Sequence, residues 1–443
     1  MKTNFVKLRW LFTMLLFVTT MIMPTMMLAK SIDLKIPEGD GAGTPYKIGT
    51  AEELYWFAGL VNGTLPGVKK DLSANAILTD DIIVNTGVLD PNKDLVSGND
   101  FIEWIPIGKS SSDDDAYTGT FDGNGHTISG LYFNKSNSWY VGLFGCIGAE
   151  GKISNVGVSD SYFQSSNCPY IGGVCGSNSG ELQNCSNSST VIGKENEYRI
   201  GGVCGYNSGT VKDCKNTGSV RGKETIGGVC GYNERRYNEK GGIIENSFNE
   251  GTVSGTGDYD VLNIGGVCGY NYGGTIKSCY NTASVSGQYS VGGVSGYNYG
   301  GTIKSCYNTA SVSGQYSVGG VCGDNYEGPI TNCYYLSGTV ADGKGGIGGK
   351  DDENGKAVEM SKDRFKSGEV AWLLNGSKSV STEESTLAWY QKLGENADAY
   401  PVLTSTGDNT VYGGYQHGSR VRFFSNTVQH STGECKLNCV KLQ

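Results

Sequence analysis

The chain has 443 residues, with 35 Lys and Arg against 44 Asp and Glu, for a formal net charge of −9. No basic cluster breaks that acidic background, which argues against nucleic acid as a partner. Gly (69) and Tyr (27) are both abundant; the absence of a Gly-X-Y period excludes collagen, and Val, Ile and Tyr recurring in register disfavour disorder.

Residues 1–29 have the form of an export signal. Lys2, Lys7 and Arg9 give a positive start, an apolar run follows, and Met27-Leu28-Ala29 offers a cleavage site. No later apolar run is long enough to span a bilayer. The expectation is an exported chain, extracellular or held at the cell surface, with no membrane span after signal removal.

Residues 30–140 are expected to form an N-terminal cap and the first irregular coils of a β-helix. Thr50-Ala51-Glu52-Glu53 reads as a capping box opening a helix whose Leu54, Phe57, Ala58 and Val61 share one face. Short apolar stretches follow at 76–84, 104–107 and 117–133, the last interrupted by a Gly/Asn turn at 122–125.

From Val141 the chain enters a repeat that is expected to run over 141–345. The anchor Gly-Gly-Val-(Cys/Ser)-Gly carries Cys175, Cys204, Cys230, Cys268, Ser295 and Cys322, spaced 29, 26, 38, 27 and 27 residues apart. Residues 269–294 and 296–321 are the same string. Such a period marks a solenoid, and its Gly and β-branched content rules out helical repeats. Each unit reads as three short strands, giving an all-β parallel β-helix of about 27 residues per coil. Insertions at 234–241 and 258–263 account for the 38-residue gap. Residues 346–413 are expected to be a C-terminal capping region, with a short helix over 360–374 and one or two strands over 389–403. Short helices thus sit near both ends, where a solenoid needs cover. The tail 414–443 has no clear pattern.

Stacked coils place equivalent residues about 4.8 Å apart. One unbroken column is Asn178, Asn207, Asn233, Asn271, Asn298 and Asn325, a candidate amide ladder. A second runs through Asn187, Asn216, Asn249, Asn281 and Asn308 and ends at Tyr335. Both read as structural. The cysteines make two columns as well, with Ser295 and Ser247 interrupting them. Cross-column disulfides would strand Cys230 and Cys306, so buried free thiols are preferred over disulfides. No Cys-x-x-Cys or nearby His accompanies them, so no metal and no cofactor is expected.

Catalytic signals are thin. Val261 to Gly323 contains no Asp or Glu, and its charges are Lys277 and Lys304, so no pair of carboxylates for glycoside chemistry can form there. Asp80-Asp81, Asp122 with His126, Asp258 and Asp260 are scattered candidates; Asp113–Asp115 and Asp351-Asp352 read as solvated loops, and Asp122 as a turn residue. His-Glu-x-x-His and Gly-x-Ser-x-Gly are absent. Tyr206, Tyr232, Tyr270 and Tyr297 align in one column and are the candidate binding residues, with packing beside the Asn ladder as their alternative role.

The unit Gly292-Gly293-Val294-Ser295-Gly296-Tyr297-Asn298, followed by Gly301-Thr302-Ile303-Lys304-Ser305-Cys306-Tyr307-Asn308, resembles the GLUG motif of bacterial surface proteins, found also in IgA-specific metallopeptidases of the M26 type. The segments around Pro45–Leu54, Trp104–Gly108 and Gly119–Ile128 resemble the N-terminal part of such proteins. The resemblance implies a right-handed β-helix exported by a bacterium. The peptidase's zinc motif is missing, so its activity does not carry over. The reading is a non-catalytic, adhesin-like surface β-helix that binds host or bacterial glycan or protein. The alternatives are a carbohydrate-active lyase or hydrolase with its site in the N-terminal segment or an inserted loop, and a passive structural stalk.

Overall fold

The computed structural model describes residues 32–403 apart from 111–114, 137, 168, 195–198, 236–240, 258–261, 342–343, 349–356, 378–386 and 395, together with the backbone of an antiparallel pair, Val411–His417 and Arg420–Ser425. The export signal, Asp113, Asp258, Asp260, Asp351, Asp352, Cys435 and Cys439 lie outside the described residues.

The chain winds into a right-handed parallel β-solenoid of about 9 turns and about 29 residues per coil. The insertion-free duplicated coils keep the shorter 27-residue period. A coil has five short strands rather than the three expected. In the first duplicate they are Thr275–Lys277, Tyr280–Asn281, Val285–Ser286, Tyr289–Gly292 and Ser295–Tyr299. Stacking turns them into five parallel sheets, the first and second with 10 strands each and the third, fourth and fifth with 7.

Columns of left-handed residues set the turns. Between the first and second strands stand Asn155, Asn184, Asp213, Asn246, Ser278, Ser305 and Asn332, all with φ between 49° and 54°. Asn and Asp tolerate this region because their short polar side chains bond locally. A second such column, Thr225, Asn263, Ser290 and Ser317, kinks the fourth strand. At the Gly-Gly corner the requirement is steric: a Cβ on Gly293 would lie 2.1 Å from the Gly320 carbonyl oxygen and 2.4 Å from Asn308 Cγ.

Inside, aliphatic columns fill the tube. Ile276, Ile303 and Ile330 stack beneath the first sheet, with Val291 and Val318 in the fourth and Val294 and Val321 at the Gly-Gly corner, all 2% exposed or less. Burial of each such side chain contributes about 1.5–3 kcal/mol.

The N-terminal end is closed by α1 (Ala51–Asn62), which Thr50 caps through the Glu53 amide as expected. Phe57 and Tyr55 drive into the tube, edge-on to Tyr117 and Trp104 respectively. A loop after the strand Ile82–Ile83 then crosses several coils: the Leu89 amide donates to Asp160, Thr190 donates to the Lys93 carbonyl, and Arg221 pairs with Asp94. The expected helix over 360–374 is two helices, α2 (Lys362–Lys366) and α3 (Glu369–Leu374), broken at Gly368, whose φ is 84°. They cover a flank instead of the open end. Phe365, Val370, Leu374 and Trp389 pack on Tyr280, Tyr307 and Tyr334 of the second sheet. Backbone bonds from Val312, Gly320 and Val321 to Thr339, Gly345 and Gly346 close the terminal coil. Over 389–403 the described residues hold one antiparallel bridge, Tyr390 to Val402, where strands were expected.

Candidate functional site: a tyrosine track on the fifth sheet

The Asn columns form as anticipated and define the wall from which the site projects. Each amide nitrogen donates to the next coil's amide oxygen: Asn178 to Asn207, Asn233, Asn271, Asn298 and Asn325 in turn, at 2.7–2.8 Å. The second column does the same from Asn187 to Asn308 at 2.8–2.9 Å. Spare donors go to carbonyls of the same coil, such as Asn271 to Gly274. These buried amides are saturated and hold no valence for a ligand.

Eleven described cysteines are free and buried. Each thiol of the first column donates to the carbonyl two residues on, as Cys204 does to Tyr206 at 3.0 Å, and Ser295 makes the equivalent bond to Tyr297 at 3.1 Å. In the second column the acceptor is two residues back, as from Cys306 to Lys304 at 3.2 Å and from Ser247 to Glu245 at 2.8 Å. The Cys/Ser exchanges therefore conserve a small hydrogen-bond donor, beyond the apolar packing anticipated. Burial pushes the thiols of Cys175, Cys230 and Cys306 well up, so they stay protonated and unreactive.

The strand Ser295–Tyr299 ends Tyr-Asn-Tyr, and its Asn is wholly buried while Tyr297 is half-buried and Tyr299 exposed. The four candidate binding tyrosines are in register. Tyr206, Tyr232, Tyr270 and Tyr297 pair strand to strand, with successive ring centroids 5.9, 5.0 and 4.9 Å apart. Tyr206 is buried at 7% exposure, so its part is largely packing. Burial and the neighbouring Tyr297 push the Tyr270 phenol up to about 12.

A second column escaped the sequence reading. Tyr272, Tyr299 and Tyr326 are 39, 39 and 49% exposed and stack at 5.3 and 5.0 Å with their planes within 16°. The Tyr-Asn-Tyr string at 270–272 and 297–299 was its signal. The two columns touch, Tyr232 and Tyr270 each contacting Tyr272. On the other side Tyr140, Tyr170 and Tyr206 continue the contacts at 5.0 and 5.5 Å. An unbroken line of ring contacts thus runs from Tyr140 to Tyr326. The Arg199 guanidinium lies 5.0, 5.6 and 4.6 Å from the rings of Tyr170, Tyr206 and Tyr232, and the Glu234 carboxylate accepts the Tyr206 hydroxyl. At the track's N-terminal end Tyr140 lines a cleft of about 320 Å³ with Ile105, Pro106, Phe133, Lys109 and Lys135.

Among the described residues the catalytic candidates are engaged in turn and backbone hydrogen bonds. Asp122 accepts the Asn124 amide within its turn, as expected, and the Asn155 amide from the next coil. His126 lies 3.4 Å from Asp81, and Asp81 accepts the Thr127 amide. Among the described residues no group of three His, Cys, Asp or Glu could hold a metal ion, and no helix is long and apolar enough to cross a membrane.

Residues 196–221, 260–286 and 287–313 match the family model described as the GLUG motif. The chain carries GLUG-motif repeats. It is 38% identical over 84 residues to halomucin of Haloquadratum walsbyi, a match covering 19% of this chain and 1% of that protein. It is 33% identical over 78 residues to a candidate Gly-rich membrane protein of Evansella cellulosilytica, covering 17% of this chain and 9% of that one. The chain therefore spans a small part of the curated relatives it matches. A crystal structure of a candidate immunoglobulin A1 protease from Bacteroides ovatus is similar at 20% identity and a TM-score of 0.47, over 83% of this chain and 98% of that one.

Proposed function

We propose that this GLUG-repeat solenoid is a non-catalytic, exported or cell-surface binding protein that engages an extended partner along the tyrosine track. The observation that carries the reading is the exposed ladder of Tyr272, Tyr299 and Tyr326 beside Tyr270 and Tyr297. Saturated Asn ladders explain the interior, but nothing in the packing requires aromatic rings at exposed positions, and such a row marks an interaction surface. The stretch bearing Tyr270, Tyr272, Tyr297 and Tyr299 holds no carboxylate from Val261 to Gly323, which supports binding over acid/base chemistry. The match to a protein named for a membrane agrees with a surface location.

The test is a panel of glycans and surface proteins probed with the intact chain and with Tyr272→Ser/Tyr299→Ser/Tyr326→Ser. A ligand of the track loses at least tenfold in affinity with the triple variant, and it raises the melting temperature of the parent by mass action. A panel with no ligand, or only ligands indifferent to the triple change, sinks the proposal and favours a passive stalk.

A further inference from the structure

We infer that the partner of the track is an acidic polysaccharide, held by hydroxyl donors and ring edges. This rests on the binding reading above and names its ligand class.

Ring orientation decides the chemistry. Tyr272, Tyr299 and Tyr326 lie nearly parallel, 5.0–5.3 Å apart, so each inner face is covered by the next ring. What the column turns outward is edges and phenol O–H groups. An aromatic ring carries its negative charge on the face and its positive charge on the edge. A cationic partner needs open faces, and so does a sugar stacked flat on a ring; both lack a seat along this column. A partner rich in oxygen acceptors meets a positive edge and an O–H at every coil. None of the three hydroxyls has a hydrogen-bond partner among the described residues.

Charge points the same way. The protein is acidic overall, yet the coils from Val261 to Gly323 contain no Asp or Glu and carry Lys277 and Lys304. Lys277 pairs with Glu245 of the preceding coil, while Lys304, one coil on, is exposed. Toward the N-terminal end Arg199 lies over the rings with no carboxylate partner among the described residues. Acids flank the column at both ends, with Glu234 opposite Tyr272, Asp324 opposite Tyr297 and Glu327 following Tyr326. An anionic chain thus finds its neutral-to-cationic stretch at the middle of the column, around Tyr299, with Lys304 exposed on the adjoining first sheet. The Tyr270 phenol, pushed up to about 12, and that of Tyr297, raised by burial, remain donors throughout the physiological range.

The experiment measures binding of fluorescent dextran sulfate, polygalacturonate and uncharged dextran to the full chain at physiological and high salt. The test variant is Tyr272→Phe/Tyr299→Phe/Tyr326→Phe, which keeps the stack and removes the hydroxyls. The expected result is binding of both polyanions, at least tenfold stronger than dextran, weakened by salt and reduced at least tenfold in the variant. Equal binding of dextran, or full retention of binding in the phenylalanine variant, overturns the inference. A panel ligand that is a protein and is lost only with the serine variant overturns it too, while leaving the binding function in place.

Discussion

Asn281 shows how much one side chain carries. It accepts from Asn249, donates to Asn308 and donates to the Ala283 carbonyl, all at 2.8 Å and without solvent. Asn281→Ala strands polar groups on both neighbouring coils, and each such group costs about 1–3 kcal/mol. Cys306→Ser, by contrast, repeats an exchange the chain already makes at Ser247 and Ser295 and is expected to cost less than about 1 kcal/mol. Urea midpoints of the two variants separate them; equal shifts would show that the amide ladder is not what holds adjacent coils. The ladders were legible because an Asn that recurs without a break at the coil spacing must stack on its own kind, and stacked buried amides satisfy one another. The exposed column of Tyr272, Tyr299 and Tyr326 was not, although its residues stand beside the Asn, because spacing tells which residues stack but not which face solvent. Ring angles, which set the ligand class, leave no trace in spacing at all.

At the level of elements, the departures from expectation share a cause in local backbone geometry. The segment from Gly301 to Asn308 reads as one strand by composition, but Ser305 adopts φ of 53° and turns the corner. Serine is not a residue whose presence announces that conformation. The C-terminal helix similarly breaks where Gly368 takes a left-handed turn. Its partner was also hidden: Phe248, Tyr280 and Tyr307 form a second aromatic stack, at 4.6 and 5.2 Å, which the C-terminal segment covers. Trp389 lies against Tyr280 and Tyr307, and the Tyr307 hydroxyl donates to the Pro401 carbonyl. Trp389→Ala is expected to destabilise the docked segment by about 3–5 kcal/mol. The readout is faster proteolysis between residues 361 and 403, with a rise in hydrophobic-dye binding, while the coils keep their β-sheet circular dichroism. Loss of the sheet signal in step would mean that the segment is integral to the solenoid.

For the whole molecule, the identical strings at 269–294 and 296–321 imply that one coil is interchangeable with the next. Deleting residues 296–322 joins Ser295 to Gly323 and keeps every column in register. The shortened chain is expected to fold as a monodisperse protein about 4.8 Å shorter along its axis, as small-angle scattering would read; aggregation would refute interchangeability. The loop that ties Leu89, Lys93 and Asp94 to Asp160, Thr190 and Arg221 has a mechanical consequence. A 27-residue coil packs roughly 90 Å of extendable chain into one rise of about 4.8 Å. Under a pull along the axis, coils bridged by the loop resist as a block, whereas the unbridged duplicated coils can peel away singly. A molecule tethered at one end and gripped along its tyrosines would therefore lengthen by unwinding coils before it let go.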